Sequence, residues 1–182
     1  MFNIPIFHFK VENWDEKKSA LIELYNLVEN DCEMVEGTDV ITNYHQNCIN
    51  IRQDISYIFY SEIKRFTDII EYNECIVDAA WFEKSYKNHY HKIHNHGALG
   101  YSSVCFINYD ENEHTPTQFI APYNNFINGV SLIYNPQNVI ESSIIFFPSA
   151  INHFTEPNKS DKERLVVWFR KWWNDKHMLF NV

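Results

Sequence analysis

Tyr90-His91-Lys92-Ile93-His94-Asn95-His96-Gly97, followed closely by Tyr101-Ser102-Ser103-Val104-Cys105-Phe106-Ile107-Asn108-Tyr109, is the stretch that sets the reading of this chain. Both runs are short, rich in aromatic and β-branched residues, and separated by glycines, which is how strands are written. Working outward, the same texture continues on both sides. Cys75–Tyr86, Thr117–Ala121, Val130–Tyr134, Ser143–Phe147 and Glu163–Trp173 all read as strands bounded by Asn, Gly, Pro or Asp. Ahead of them the period changes from two to about 3.6. Asp15–Asn30 lines up Leu21, Leu24, Tyr25 and Val28. Asp54–Tyr72 lines up Ile55, Ile58, Phe59, Glu62 or Ile63, Phe66, Ile69 and Ile70, with Asp54 as the expected N-cap. Two helices followed by about seven strands predict an α+β chain: a double-sheet jelly roll with the helices packed on one sheet. We expect one domain over residues 1–182, helical through residue 74 and jelly roll over 75–173.

Composition agrees with a packed sheet protein. Aromatics reach 16% of the 182 residues, a supply of flat bulky groups that suits the space between two sheets. Fifteen Lys and Arg against 24 Asp and Glu leave a net charge of −9, which argues against a phosphate backbone as partner. Cys32, Cys48, Cys75 and Cys105 form no CxxC pair and are expected to be reduced packing thiols. With no signal-like N-terminus and no apolar run of membrane length, the expected location is cytoplasmic, without a membrane partner.

The chemistry-bearing residues are histidines. Four of them, His89, His91, His94 and His96, fall within eight positions. Residues i and i+2 of an extended chain project from one face, so His94 and His96 can present two imidazoles to one ion. The pair precedes Gly97 and a strong strand, which places it at a pocket mouth. His89 and His91 are expected to be solvated or to stand behind the ligands. His153, following the Pro148-terminated strand, is the third ligand candidate, at a turn or at the start of the next strand. Arg164 opens the apolar run Leu165-Val166-Val167-Trp168-Phe169. A buried guanidinium needs a partner, either a structural acid or the distal carboxylate of a dicarboxylate cosubstrate. His114 reads as loop surface, with a pocket role as the alternative. Trp81 reads as core and, with Tyr86, as a candidate pocket wall. The cluster Arg170-Lys171-Trp172-Trp173 is expected to pack on the barrel, a homodimer contact being the alternative.

Several separated motifs resemble one family. Ala80–Tyr86, His94-Asn95-His96-Gly97, Ser102–Ile107, Glu141–Ser149, His153, Pro157–Asp161 and Arg164 are similar, in order and spacing, to the small iron(II)/2-oxoglutarate-dependent oxygenases of phages and bacteria. The resemblance spans roughly residues 76 to 170. It implies a double-stranded β-helix, a jelly-roll variant, with His94 and His153 as metal ligands and Arg164 on the 2-oxoglutarate carboxylate. Tyr86 is implied as a further cosubstrate contact. Fe(II), 2-oxoglutarate and O2 are the implied cofactors, and hydroxylation of a small-molecule or peptidyl substrate, with succinate and CO2, the implied reaction. The chain departs from the family where a carboxylate ligand is usual, because His96 stands there. The metal set is then His94, His96 and His153, unless Asp110 or Glu113 supplies the acid or the position stays open for a halide. Val166 also lacks a hydroxyl for the cosubstrate. A cupin-like three-His dioxygenase without 2-oxoglutarate, and a non-catalytic jelly-roll module, are the competing readings.

Overall fold

The computed structural model describes residues 5–35, 40–45, 51–72 and 75–172. In chain order the elements are β1 (Phe7–Lys10), α1 (Trp14–Val28), β2 (Glu33–Met34), β3 (Ile41–Thr42), α2 (Ile51–Ile58), α3 (Tyr60–Ile69), β4 (Ile76–Ser85), β5 (His91–His94), β6 (Tyr101–Asn108), β7 (Gln118–Asn124), β8 (Ser131–Tyr134), β9 (Ser143–Pro148), β10 (His153–Thr155) and β11 (Arg164–Trp172). They form two antiparallel sheets, β1-β9-β6-β11-β4-β3-β2 and β5-β10-β7-β8. This is the α+β jelly roll expected from the strand pattern.

The large sheet is buried on both faces, and that is why its strands read as unbroken apolar runs rather than alternating ones. Leu165, Val167 and Phe169 of β11 face the helices, together with Cys105 and Ile107 of β6 and Ile144 and Phe146 of β9. Their neighbours Val166, Trp168, Val104, Phe106, Ile145 and Phe147 face the interior between the sheets. The helix layer meets the first set through Leu21, Leu24, Tyr25, Ile55, Phe59 and Phe66. Phe66 stacks on Phe146 at 4.5 Å between ring centroids, and Phe59 on Phe169 at 5.4 Å. Each such buried aromatic contributes roughly 1.5–3 kcal/mol by area.

Three expectations are corrected. The N-terminal part is not only helical: β1 pairs along the outer edge of β9, and β3 and β2 extend the sheet beyond β4. These strands are two to four residues long, too short to show a period. The second helix starts at Ile51, so Asp54 lies in its first turn, where it complements the helix dipole instead of capping. That helix is also broken at Phe59 (φ −98°, ψ 21°), although the Phe59 amide still bonds the Ile55 carbonyl at 3.0 Å. Glu62 and Ile63 are both buried. The Glu62 carboxylate is satisfied by Lys17 at 2.8 Å and by the Glu12 amide at 3.0 Å.

Cys32, Cys75 and Cys105 form no disulfide; Cys48 and Trp173 lie outside the described residues. No helix among the described residues is long and apolar enough to cross a membrane.

Candidate metal centre

Strands β5 and β10 of the small sheet pair antiparallel with His94 directly opposite His153. That register brings two imidazoles 59 positions apart in sequence to a ring-centroid separation of 4.3 Å. His96 stands two residues beyond His94, its amide bonded to the Ser149 carbonyl at 2.9 Å. Its carbonyl accepts from Arg170 at 3.2 Å, while Arg170 is held by Asp78 at 2.8 Å. Gly97 then leaves with φ +104°, a backbone state that suits glycine. Candidate donor atoms of His94, His96 and His153 all lie within 4.8 Å of one another.

The orientation of each ring is set from behind. Nδ1 of His94 donates to the Lys92 carbonyl at 2.9 Å, and Nδ1 of His153 to the Ile151 carbonyl at 3.0 Å. Nδ1 of His96 bonds the Ser102 hydroxyl at 2.8 Å, which in turn bonds the Ser149 hydroxyl at 2.9 Å. A proton fixed on Nδ1 leaves the Nε2 lone pair for a metal. Nε2 of His94 and His96 approach to 3.3 Å. Nε2 of His153, on a residue with no exposed surface, has no hydrogen-bond partner among the described residues. A buried nitrogen left without a partner costs free energy that a ligated ion restores.

The walls are aromatic. Trp168 lies 5.3 Å from His153 and 5.4 Å from His96, Phe147 4.9 Å from His153, and Trp81 5.1 Å from His96. Burial in this shell, reinforced by mutual repulsion, pushes His94 down to about 4 and His153 down to about 3. His96 is pushed well below the ordinary imidazole value for the same reasons. The three rings are therefore neutral donors at physiological pH.

The fold also brings in Arg164. It opens β11 with 1% of its surface exposed, and Nη2 donates to the Thr117 hydroxyl at 3.3 Å. Its Nε and Nη1 have no hydrogen-bond partner among the described residues. Val166 carries no hydroxyl; the hydroxyl beside Arg164 is that of Thr117, just ahead of β7. Opposite stands Glu83 of β4, 1% exposed, with Oε1 3.7 Å from Arg164 Nη1. Its Oε2 accepts from His91 Nδ1 at 3.0 Å, and the His91 ring stacks on His94 at 4.0 Å. Burial alone would raise the Glu83 carboxyl, but His91 and Arg164 hold it down at about 2. Neither Glu83 nor Thr117 was anticipated from sequence. The signal for Glu83 was present: an acid two positions after Trp81 in an apolar strand shares its face.

Other expected residues fall elsewhere. Asp110 and Glu113 are engaged with Lys162 at 2.6 and 2.8 Å, and Glu113 also accepts from Ser160, so neither joins the imidazoles. His114 is buried rather than on the loop surface. It accepts from the Asp110 amide at 3.0 Å and donates to the Lys162 carbonyl at 3.2 Å, tying two loops together. Tyr86 is 42% exposed, edge-on to His89 at 5.7 Å, and is not among the residues lining the cavity beside the triad. Within the basic cluster Lys171 is fully buried and Arg170 is held by Asp78 at 2.8 Å, while the side chains of Trp172 and Trp173 lie outside the described residues.

A cavity of about 230 Å³ opens beside the imidazoles, with Tyr44, Trp81, Glu83, His91, His94 and His96 in its lining. No family model and no curated protein sequence matches the chain. Solved structures do match over nearly its full length. The epimerase SnoN of nogalamycin biosynthesis superposes with a TM-score of 0.73 at 7% identity, covering 93% of this chain and 78% of its own. A Pseudomonas putida prolyl-4-hydroxylase gives 0.58 at 10% identity, covering 94% of both chains. An oxidoreductase of the 2OG-Fe(II) oxygenase family from Burkholderia pseudomallei gives 0.56 at 10% identity, covering 90% and 92%. The fold is that of the 2-oxoglutarate/iron(II) oxygenases. Within this fold His94 and His153 sit on paired strands of the small sheet, His96 lies just beyond β5, and Arg164 starts a strand of the large sheet.

Proposed function

We propose that this protein is an oxygenase that binds iron(II) through His94, His96 and His153 and uses 2-oxoglutarate as cosubstrate. The observation that carries the proposal is the pairing of two unmet demands inside one fold. His153 Nε2 is a buried donor atom with no hydrogen-bond partner among the described residues, and Arg164 is a buried cation with two unspent N–H donors. The first fits a metal ion and the second fits a carboxylate. Among the similar structures, SnoN is described with Fe3+ and alpha ketoglutarate bound, and HygX with nickel and 2-oxoglutarate.

When bound, iron(II), 2-oxoglutarate and O2 supply the oxidising power for attack on a substrate C–H bond, with succinate and CO2 as co-products. The protein's own residues do the rest. The three imidazoles would hold the ion with neutral lone pairs, each ring oriented by its Nδ1 bond. Arg164, buried and braced by Thr117, would hold the distal carboxylate of 2-oxoglutarate. Trp81, Trp168 and Phe147 keep the surroundings dry. Three neutral ligands leave the centre one negative charge short of a two-His, one-carboxylate set. Glu83, ionised in the adjacent wall, restores that charge without occupying a ligand position. The substrate is a small molecule or a peptidyl side chain, since the cavity holds about 230 Å³.

The test is anaerobic titration of the Fe(II)-loaded protein with 2-oxoglutarate, followed by visible absorption. A charge-transfer band that is lost in Arg164→Met supports the proposal; no band and no succinate on admitting O2 rejects it. A second reading, a three-His dioxygenase independent of 2-oxoglutarate, is favoured by one observation: Glu83 already places a carboxylate 3.7 Å from Arg164. Under that reading wild type and Arg164→Met give the same spectrum.

A further inference from the structure

From Thr115 to Ile140 the chain runs for 26 residues without an Asp, Glu, Lys or Arg, although such residues make up 21% of the whole. This run holds β7, β8 and the hairpin that joins them. Among the described residues β8 pairs with β7 alone, at one edge of the small sheet, so its outer row of backbone groups has no strand partner. All four residues of β8 are exposed. Edge strands are commonly protected by a lysine, a proline or an inward-pointing charge, and Ser131-Leu132-Ile133-Tyr134 carries none of these.

Both faces of that edge are apolar. Tyr134 lies opposite Phe119, whose ring packs on Phe147 at 4.8 Å in the interior between the sheets. Side chains alternate along a strand, so Leu132 and Tyr134 share the face of Phe119 while Ile133 points the other way. Phe119 is fully buried, yet Tyr134 is 48% exposed. The large sheet therefore covers β7 on this face and leaves β8 bare. The hairpin tip adds Phe126 and Ile127, 94% and 96% exposed. It is held in place: the Asn125 amide donates to the Val130 carbonyl and the Gly129 amide to the Asn125 carbonyl, both at 2.8 Å. Phe126 also stacks on Tyr123 at 6.2 Å. An ordered apolar surface of this extent marks a contact site.

A second copy of this chain is the occupant that fits. Antiparallel pairing of β8 with its own counterpart about a twofold axis is self-complementary and satisfies both open edges at once. Charge favours the same partner. Two chains of net charge −9 repel, and this uncharged hairpin lets them meet without opposing like charges. The area also suffices. Phe126, Ile127, Val130, Leu132, Ile133 and Tyr134 expose roughly 700 Å² on each copy, against about 800 Å² per partner in a standard interface.

We infer that this protein forms a homodimer in which the two β8 edges pair across a twofold axis, joining the small sheets, with Phe126 and Ile127 of each hairpin packed on the other copy. The inference stands independently of the oxygenase reading.

Sedimentation velocity of the unmodified chain over a range of micromolar concentrations is expected to show twice the chain mass. Hydrogen exchange at the same concentrations is expected to show the amides of Ser131–Tyr134 gaining protection as the dimer forms. Ile133→Glu sets like charges against each other near the axis and should weaken association about a hundredfold or more. Its fold should be unchanged by circular dichroism, because the side chain is exposed. The double variant Phe126→Ser/Ile127→Ser should weaken association about tenfold or more. Leu27→Glu, at an exposed position of α1, should leave it intact. The wild-type mass and exchange pattern decide the matter even if a variant fails to fold. A monomer at every concentration overturns the inference, including a monomer that binds lipid vesicles through this hairpin. So does a dimer that persists in folded Ile133→Glu, or one whose β8 amides gain no protection.

Discussion

Replacing Lys171 by Met should make this protein more stable, and most so at neutral to acidic pH. β11 buries a cation on each face: Arg164 toward the candidate active site and Lys171 toward the helices. Lys171 has no exposed surface, and its Nζ lacks a hydrogen-bond partner among the described residues. It sits over three phenylalanine rings, at 3.8 Å from Phe146, 4.6 Å from Phe66 and 5.2 Å from Phe169. Cation–π attraction does not replace lost hydration, and burial pushes the amine down to about 7 from 10.5. At ~1.4 kcal/mol per pH unit, that gap corresponds to a folding penalty on the order of 4–5 kcal/mol. The sign follows from proton counting. Between pH 7 and 10.5 the unfolded chain binds the proton and the native one does not, so wild-type stability rises with pH across that window. Below about 7 the whole penalty is present. Methionine matches the length, carries no charge and packs well against aromatic rings. With relaxation reducing the gain by about half, we expect Lys171→Met to add roughly 2 kcal/mol near pH 6, or about 4–8 °C in Tm. The advantage should shrink toward zero near pH 10. Urea unfolding of both proteins across this range measures it. Parallel stability curves for the two proteins, or a less stable variant, would refute the reasoning.

Other outcomes follow from the same structure. His153→Ala should lose stoichiometric metal while keeping its circular dichroism spectrum, and retention of one ion per chain after dialysis would exclude His153 as a ligand. Thr117→Val should weaken 2-oxoglutarate binding by about tenfold through loss of the hydroxyl that braces Arg164, with metal content unchanged; unaltered cosubstrate affinity would remove Thr117 from the site. Chelator-treated protein should lose stability as pH falls below about 6.5. The unfolded chain protonates His94 and His153 there while the native one holds them neutral to about 4 and about 3, roughly 1.4 kcal/mol per pH unit for each. A urea midpoint independent of pH between about 6.5 and 4 would contradict the buried, neutral triad. Phe66→Ala should cost about 3–5 kcal/mol, because the ring stacks on Phe146 in a closed core.

Much of the architecture was legible before any coordinates, and for identifiable reasons. Ile144–Phe147 and Leu165–Phe169 are apolar at consecutive positions, so they had to be strands covered on both faces, with helices on one side and a second sheet on the other. Helix α1 followed from the spacing of Leu21, Leu24 and Tyr25. The short strands β1, β2 and β3 were not legible as strands, since two to four residues hold no periodicity and their existence depends on the partner edge. The break at Phe59 was hidden because the buried stripe continues straight through it.

At the site, residue types and order along the chain were enough to single out His94, His96, His153 and Arg164, because imidazoles and guanidinium have few roles inside an apolar sheet. Which groups share a space was a tertiary matter. The register of β5 on β10 set His94 against His153, and pairing of β4 with β11 brought Glu83 beside Arg164. Loop closure by Lys162 withdrew Asp110 and Glu113 from contention. Side-chain chemistry is written locally and survives in the sequence. Distances between strands depend on how the sheets pair and pack, and only the folded chain expresses them.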